Sequence, residues 1–136
     1  MNQIIDLYDR VDLLDLNRRR LTQVYCSVTE PSYLNKFDPF EELLDRYGKA
    51  MVLPAELPLY QRFYSIAYLQ SLLLHADAES TILLHKRLPD GTRVLRLHHL
   101  IPFRMENRDY IISCIQQIDE NVISASLASF AEPELP

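Results

Sequence analysis

Residues 80 to 118, STILLHKRLPDGTRVLRLHHLIPFRMENRDYIISCIQQI, decide the fold of this chain. Three runs within this stretch, at 80–88, 92–103 and 110–118, show the period-two pattern that is typical of strands. The LPDG sequence between the first two runs predicts a tight turn, because glycine adopts the positive φ that such turns need. The ENRD sequence at 106–109 predicts the second turn. The stretch therefore predicts a three-stranded antiparallel meander.

The middle strand of this meander places successive side chains on opposite faces of the sheet. We expect Leu95 and Leu97 to be buried and Arg96 to be exposed. His99 lies on the face of the two leucines and is predicted to be a core residue, with a cleft-facing, ligand-binding histidine as the alternative. One face consists of Leu95, Leu97, His99, Ile101 and Phe103, and the other of Val94, Arg96, His98 and Leu100.

Upstream of the meander, the sequence predicts two helical stretches. The DPFE sequence at 38–41 predicts a helix start, with Asp as the cap, Pro in the first turn and Glu in the place of a capping box, and Gly48 is expected to end this helix. The second stretch covers 59–75, and Ser65 or Ser71 is expected to divide it. Core packing explains its aromatic cluster first, and a wall of a small-ligand cleft second. The cluster consists of Tyr60, Phe63, Tyr64 and Tyr68.

The amino-terminal part of the chain predicts a short helix followed by a hairpin. Apolar residues in 2–10 follow helical spacing, and the runs at 11–16 and 21–28 are predicted to pair as antiparallel strands, with a continuation of the helix over 11–16 as the alternative. Residues 29–37 are expected to form a loop, and the residues after Asn121 a short helix or frayed tail. We therefore expect one domain over 1–121 and a carboxy-terminal tail or linker over 122–136.

Composition excludes several classes of function. With 136 residues and 48% hydrophobic side chains, the chain can bury a core in a single domain. Its net charge of -5 gives no global attraction to nucleic acid, and its 2 glycines exclude a glycine-rich phosphate loop. No signal peptide begins the sequence and no apolar run is long enough to span a bilayer, so we expect a cytoplasmic domain without membrane insertion.

The chemistry-bearing residues do not converge on a reaction. Cys26 and Cys114 lie outside any metal or redox motif and are predicted to be small core residues. His98 and His99 point to opposite faces of one strand and cannot share a metal ion. We expect no catalytic site, no metal and no cofactor. A basic stretch is predicted to be a solvated face rather than an anion or nucleic-acid patch, because aromatic residues are sparse there. It contains Lys86, Arg87, Arg93, Arg96, Arg104 and Arg108.

At this point the sequence resembles a PAS domain of the type that precedes diguanylate cyclase (GGDEF) or histidine kinase modules in bacterial sensor proteins. The matching segments, in family order, are FEELLDRY at 40–47, VLPAE at 52–56, KRLPDGTRV at 86–94 and QIDE at 117–120. Leu53 stands where the family usually has a histidine. The resemblance implies an α+β fold, with a five-stranded antiparallel sheet in the order 2-1-5-4-3 and helices packed on one face.

The same resemblance implies a sensory or regulatory role without catalysis. The chain would control an effector domain, in cis or in trans, through small-molecule binding or dimer contacts, and Asp119 would be the junction for the signal. A homodimer is expected through the apolar stripe of the amino-terminal helix. An NTF2-like small-molecule-binding protein or enzyme and a ligand-free dimerisation module are the alternatives. The candidates for the ligand cleft are Phe63, Tyr64, Leu83, Leu95, Leu97 and His99.

Overall fold

The structure, a computed structural model, describes residues 8–26, 38–75, 79–119 and 121. The predicted loop at 29–37 and the tail over 122–136 lie outside these residues, as do residues 1–7 of the predicted amino-terminal helix. That helix was predicted to extend to residue 10, which is wrong at its end, because Arg10 begins the first strand.

Five strands form one antiparallel sheet in the order 2-1-5-4-3, as predicted. The first hairpin pairs β1 with β2, and the meander of β3, β4 and β5 returns to β1 through β5. The central position of β5 lets it hydrogen-bond to both β1 and β4 along most of its length. The strands are β1 (Arg10–Asp15), β2 (Arg20–Cys26), β3 (Ser80–Arg87), β4 (Arg93–Met105) and β5 (Arg108–Ile118).

Two tight turns define the register of the meander. Gly91 in the first turn has a φ of +88°, in the left-handed region that glycine adopts without strain, which confirms the predicted turn. Glu106 and Asn107 form the second turn with φ values of +53° and +63°. Two consecutive residues with positive φ match the twist of a two-residue hairpin. These turns set the residue pairing that decides which side chains share a face.

The first helix, α1 (Phe40–Met51), differs from its prediction at both ends. Pro39 occupies the N-cap position without a capping side chain, and Asp38 instead pairs with Arg46 at 2.7 Å. Gly48 lies inside the helix rather than at its end. A Cβ on Gly48 would lie 2.3 Å from Cε1 of Tyr60, so glycine is required here for close packing and not for helix termination.

Two shorter helices follow the 3-10 turn Pro54–Glu56: α2 (Leu57–Phe63) and α3 (Ile66–Leu73). Ser65 separates them, as predicted, because its hydroxyl accepts a hydrogen bond from the backbone N–H of Tyr68 and caps α3. The three helices pack on one face of the sheet, which we call the inner face. Its apolar core includes Leu14, Phe40, Tyr60, Leu69, Leu84, Leu100 and Ile111.

The predicted faces of β4 are inverted. Arg96 and His98 are each 2% exposed and lie on the inner face with Leu100. Leu95 and Leu97 lie on the opposite face, which we call the outer face, and are only partly buried. The prediction that the leucines are buried under the helices and Arg96 is exposed was therefore wrong.

Candidate functional site

Within the part of the chain that the structure describes, five polar or charged strand side chains are buried between the helices and the central strands. The strand register brings them together, because Asp12 pairs with Ser113, and both Arg10 and His98 pair with Ile115. We call them the buried polar network, together with the tyrosines that contact them. The strand residues of this network are Arg10, Asp12, Arg96, His98 and Ser113, with exposed fractions of 7%, 3%, 2%, 2% and 2%.

Tyr64, at the end of α2, joins the helices to two strands of this network. Its hydroxyl lies 2.7 Å from Nδ1 of His98 and 3.0 Å from Oγ of Ser113. Burial raises the pKa of Tyr64 far above its usual value, so the phenol keeps its proton at every ordinary pH. A phenol has one proton to donate, so it donates to one of these partners and accepts from the other.

The tautomer of His98 therefore sets the direction of both hydrogen bonds. When Nδ1 of His98 accepts from Tyr64, the Ser113 hydroxyl donates to the tyrosine. When Nδ1 carries the proton, Tyr64 donates to Ser113 instead. The three side chains thus have two complete arrangements, one for each tautomer, that link α2 with β4 and β5.

A second part of the network surrounds Tyr47 of α1. Nη1 of Arg96 donates to the Tyr47 hydroxyl at 2.7 Å, and the Arg10 guanidinium lies 5.0 Å from the centre of the Tyr47 ring. Nε of Arg10 also donates to Asp12 at 2.6 Å. Nε of Arg96 lies 3.7 Å from Oδ2 of Asp9, just before β1 begins. This part links α1 to the amino-terminal end of β1.

Aromatic rings fill the interface between α2 and the sheet. The rings of Tyr60 and Tyr64 lie 4.8 Å apart, and those of Phe63 and Tyr64 lie 5.2 Å apart. The Tyr60 hydroxyl donates to the carbonyl oxygen of Leu44 at 2.7 Å, and burial raises its pKa well above the usual value. Core packing of the aromatic cluster is therefore confirmed, with Tyr68 partly buried at its margin.

The residues predicted to line a ligand cleft do not form one cleft. Phe63 and Tyr64 lie between the helices and the inner face. The other four lie on the outer face, where Leu83 is 43% exposed and Nε2 of His99 lies 3.1 Å from Oε2 of Glu79. The face inversion of β4 explains this separation, and the outer-face members are Leu83, Leu95, Leu97 and His99.

The predicted junction residue lies at the end of the central strand. Asp119 is exposed, and its Oδ1 accepts a hydrogen bond of 2.8 Å from the backbone N–H of Asn121. The side chain therefore holds the first turn after β5. Its role in signalling stays a prediction.

The outer face is the more apolar side of the sheet. Phe103 and Tyr110 stack on it with their ring centres 5.2 Å apart, and burial raises the pKa of the Cys114 thiol. Cys114 is buried as predicted, whereas Cys26 is half-buried. The outer face also carries Val11, Leu13, Leu83, Leu95, Leu97, Ile101 and Ile112.

Sequence patterns did not predict the buried polar network. Asp12 and Ser113 each lie between apolar neighbours in the sequence, and the paired strands bring both to the inner face. A polar residue between apolar neighbours in each of two strands was the available signal. The pairing of β1 with β5 was needed to connect them.

Neither a metal-binding cluster nor a membrane-spanning helix is found in the described part of the chain. Within residues 8–26, 38–75, 79–119 and 121, no group of three or more His, Cys, Asp or Glu side chains is placed to hold a metal ion. Among the same residues, no helix has the length and apolar character needed to cross a bilayer.

Comparison with solved structures supports the predicted fold. An RNA-binding light-oxygen-voltage receptor matches with a TM-score of 0.50 and 11% identity, over 93% of this chain and 36% of that one. The PAS domain of an HTR-like protein from Haloarcula marismortui matches with a TM-score of 0.46 and 14% identity, over 85% of this chain and 95% of that one. A PAS domain from a two-component sensor histidine kinase matches with a TM-score of 0.45 and 11% identity, over 85% of this chain and 90% of that one.

The strand order 2-1-5-4-3, with the three described helices between β2 and β3, is the order that the resemblance predicted. The fold is that of a PAS domain. No family model matches the sequence, and no curated protein matches it. Because the PAS topology is present, the NTF2-like fold of the alternative is wrong.

Proposed function

We propose that this PAS domain is the sensory or regulatory part of a bacterial signal-transduction protein. It acts in the cytoplasm without a catalytic step of its own, and it controls a diguanylate cyclase or histidine kinase output in cis or in trans. A fold hosts many functions, so the proposal depends on the site and not on the fold alone. The observation that carries it is the buried polar network.

Buried charged side chains are weak evidence for stability, so the buried polar network calls for another explanation. Desolvating a charged pair costs several kcal/mol per ion, and well-packed apolar side chains of similar volume often stabilise a protein more. Arg10, Asp12 and Arg96 are nonetheless buried beside the central strands. A role in switching accounts for this arrangement, because His98 and its partners have two complete hydrogen-bonding states.

The network also reaches the start of β1 and the end of β5, which lie at the same end of the sheet. The backbone N–H of Asp9 donates to the carbonyl of Ile115 at 2.8 Å, and Ile115 pairs with His98. Gln117 of β5 pairs with Arg96, and Asp119 follows Gln117 by two residues in the chain. A stimulus that stabilises one state of the network can shift these ends only if it binds the two states with different affinity.

The outer face supports homodimer contacts as the second part of this proposal. Leu83 is 43% exposed and Met105 54% exposed in a broad apolar surface. Exposed apolar surfaces of this kind mark interaction sites. A ligand-free dimerisation module would use this face alone and would leave the buried polar network without influence on output.

Output from a fusion protein tests the proposal. The full chain is joined to a diguanylate cyclase domain, and wild type is compared with His98→Gln, Asp119→Ala and the control His75→Gln. His75 is exposed just after α3, outside both the buried polar network and the outer face, so the control makes the same chemical change at a neutral position. We expect His98→Gln to change cyclase activity by about fivefold or more, the lower range of allosteric coupling, and His75→Gln to leave it unchanged.

Circular dichroism of each variant controls for folding. If folded His98→Gln gives wild-type output, the network has no part in signalling, and a dimer module becomes the better account. Wild-type output from Asp119→Ala alone removes only the junction residue.

A further inference from the structure

β3 is an edge strand of the sheet, and the segment after α1 covers the carboxy-terminal part of its edge. Val52 forms an antiparallel bridge with Lys86. The backbone N–H of Leu53 donates to the carbonyl oxygen of His85 at 3.4 Å. Oε1 of Glu56 accepts a hydrogen bond of 2.7 Å from the backbone N–H of His85. The backbone groups of His85 are therefore already satisfied.

The preceding part of the same edge has backbone groups that point away from the sheet. Both backbone contacts of His85 lie on the side away from β4, and the backbone groups of a strand point to alternate sides. The N–H and C=O groups of Glu79, Thr81 and Leu83 therefore point away from β4 as well. Within the part of the chain that the structure describes, no hydrogen bond from another element reaches these groups. We call Glu79, Thr81 and Leu83 the free edge.

Among the described residues, the free edge lacks the features that usually protect an edge strand from pairing. Native edges are protected by proline, lysine, bulges or a covering element. The stretch 80–84, STILL, contains neither proline nor a charged residue, and β3 pairs with β4 without a break in register. Thr81 is exposed, and Leu83 is 43% exposed. A further strand can therefore reach the free edge.

The short length of the free edge favours a preformed strand as its partner. A partner strand can bond to three residues before it meets the segment that covers His85. A flexible peptide would lose conformational entropy on binding, which so few hydrogen bonds do not offset. A second copy of this chain brings a β3 that β4 already holds in extended form. It also presents the same three residues, so both partners end at the same boundary.

We propose that the free edge pairs with the free edge of a second copy, antiparallel and on a two-fold axis through Thr81. The axis follows from the position of Thr81 midway between Glu79 and Leu83, since this register uses every outward group. Thr81 then lies opposite Thr81 of the second copy, and Glu79 opposite Leu83. Each of these pairs exchanges two backbone hydrogen bonds. Two threonines form a favourable cross-strand pair, and no like charges are directly opposed.

This interface goes beyond the proposed function, which assigns dimer contacts to the outer face. Pairing at the free edge would join the two sheets side by side and leave both outer faces open. Met105, 54% exposed, belongs to the outer face and lies beyond the part of β4 that pairs with β3. Met105→Lys therefore tests the outer face without changing the free edge.

Sedimentation velocity of the full chain, from about 1 µM to about 1 mM, tests the interface. We expect a monomer–dimer equilibrium with a dissociation constant of about 100 µM or below, since interfaces of this small size are weak. On the two-fold axis each substitution meets its own copy. Thr81→Lys and Thr81→Glu should therefore each raise the dissociation constant by about fivefold, and an equimolar mixture of the two variants should restore the dimer.

A threonine of the other edge strand provides the matched control. Thr22 is exposed and lies in β2, and Thr22→Lys should change the dissociation constant by less than about twofold. Thr81→Pro is a stronger test, because it removes an outward N–H and leaves the ladder with β4 intact. It should remain monomeric at every concentration. Circular dichroism of each variant controls for folding.

Three results would overturn the proposal: a wild-type chain that is monomeric at the highest concentration, equal effects of Thr81→Lys and Thr22→Lys, or a mixture of Thr81→Lys and Thr81→Glu that stays monomeric. Loss of the dimer in Met105→Lys, with a wild-type dissociation constant for Thr81→Lys, would assign the interface to the outer face and reject the free edge.

Discussion

The two faces of β4 carry their polar and apolar side chains in the opposite arrangement from the usual one, in which apolar residues face the helices. The inner face, covered by helices, buries Arg96 and His98, whereas the outer face of the same strand carries Leu95 and Leu97. Apolar residues usually indicate the side of a strand that the rest of its own domain covers. The comparison teaches that an apolar strand face predicts a surface that makes contacts. It does not predict which element of the protein makes those contacts.

The helices explain why the inner face buries polar side chains among its apolar core. They bring tyrosines rather than only aliphatic side chains, and buried tyrosine hydroxyls need hydrogen-bond partners. Arg96 serves Tyr47, and His98 with Ser113 serves Tyr64. Tyrosine-rich helices and the polar side chains of the inner face are thus complementary. The outer face makes no comparable set of side-chain hydrogen bonds within the described residues, apart from pairs such as His99 with Glu79.

The largest expected effect comes from Arg96 on the inner face. Arg96→Leu should lower the free energy of unfolding by about 3–5 kcal/mol, because it removes the buried partner of Tyr47 and Asp9. Arg104→Leu, whose side chain is 70% exposed and pairs with Asp109, should change it by less than about 0.5 kcal/mol. Urea denaturation measures both. Equal losses would contradict the difference between these positions.

The leucines of β4 compare the two faces with the same substitution. Leu100 is 0% exposed, so Leu100→Ala should lower the free energy of unfolding by about 2–5 kcal/mol. Leu97 is only partly buried, so Leu97→Ala should cost about 1 kcal/mol. Thermal or urea unfolding of both variants gives the ratio. A Leu97→Ala loss equal to that of Leu100→Ala would mean that another segment or a second copy covers the outer face.

The tyrosines test the polar side of the comparison with the loss of one hydroxyl. Tyr64→Phe should lower the free energy of unfolding by about 1–3 kcal/mol, because His98 and Ser113 lose a buried partner. Tyr68 contacts Ser80 at the margin of the core, so Tyr68→Phe should cost about 0.5–1 kcal/mol. Identical urea midpoints for the two variants would contradict the claim that the buried Tyr64 hydroxyl stabilises the fold more than the Tyr68 hydroxyl does.

The smallest expected effect comes from a substitution in the β3–β4 turn, which sets the strand register and therefore the residues on each face. Gly91→Val should lower the free energy of unfolding by about 1 kcal/mol, because valine is strained at a φ of +88° although no atom lies within 4 Å of a Cβ there. Gly91→Asn, which tolerates positive φ better, is the control. A melting temperature that valine leaves unchanged would show that the turn does not constrain the strand register.

Local patterns predicted much of the fold because they depend on neighbouring residues. The turn at Gly91, the break at Ser65 and the strand order implied by the resemblance are all confirmed. Gly48 was misread because the reason for a glycine there is the ring of Tyr60, twelve residues away in sequence. Close approach between elements leaves no local signal.

The candidate site was less predictable because it depends on which face the helices cover. Phe63 and Tyr64 lie in the core, as their helical spacing predicted, but alternation along β4 defines two faces without showing which one is inner. Choosing the apolar face assigned Leu97 and His99 to the cleft in place of His98. Pairing of β1 with β5 then added Asp12 next to Ser113, a contact between residues 101 positions apart.

Amide chemical shifts in Tyr64→Phe test the central claim, that the inner face links the helices to the ends of the central strands. Relative to wild type, we predict changes at Asp9, through His98 and Ile115, and at Asp119 at the end of β5. Tyr68→Phe should leave both amides unchanged. Shift changes confined to the direct contacts of Tyr64, with Asp9 and Asp119 unaffected, would contradict the claim.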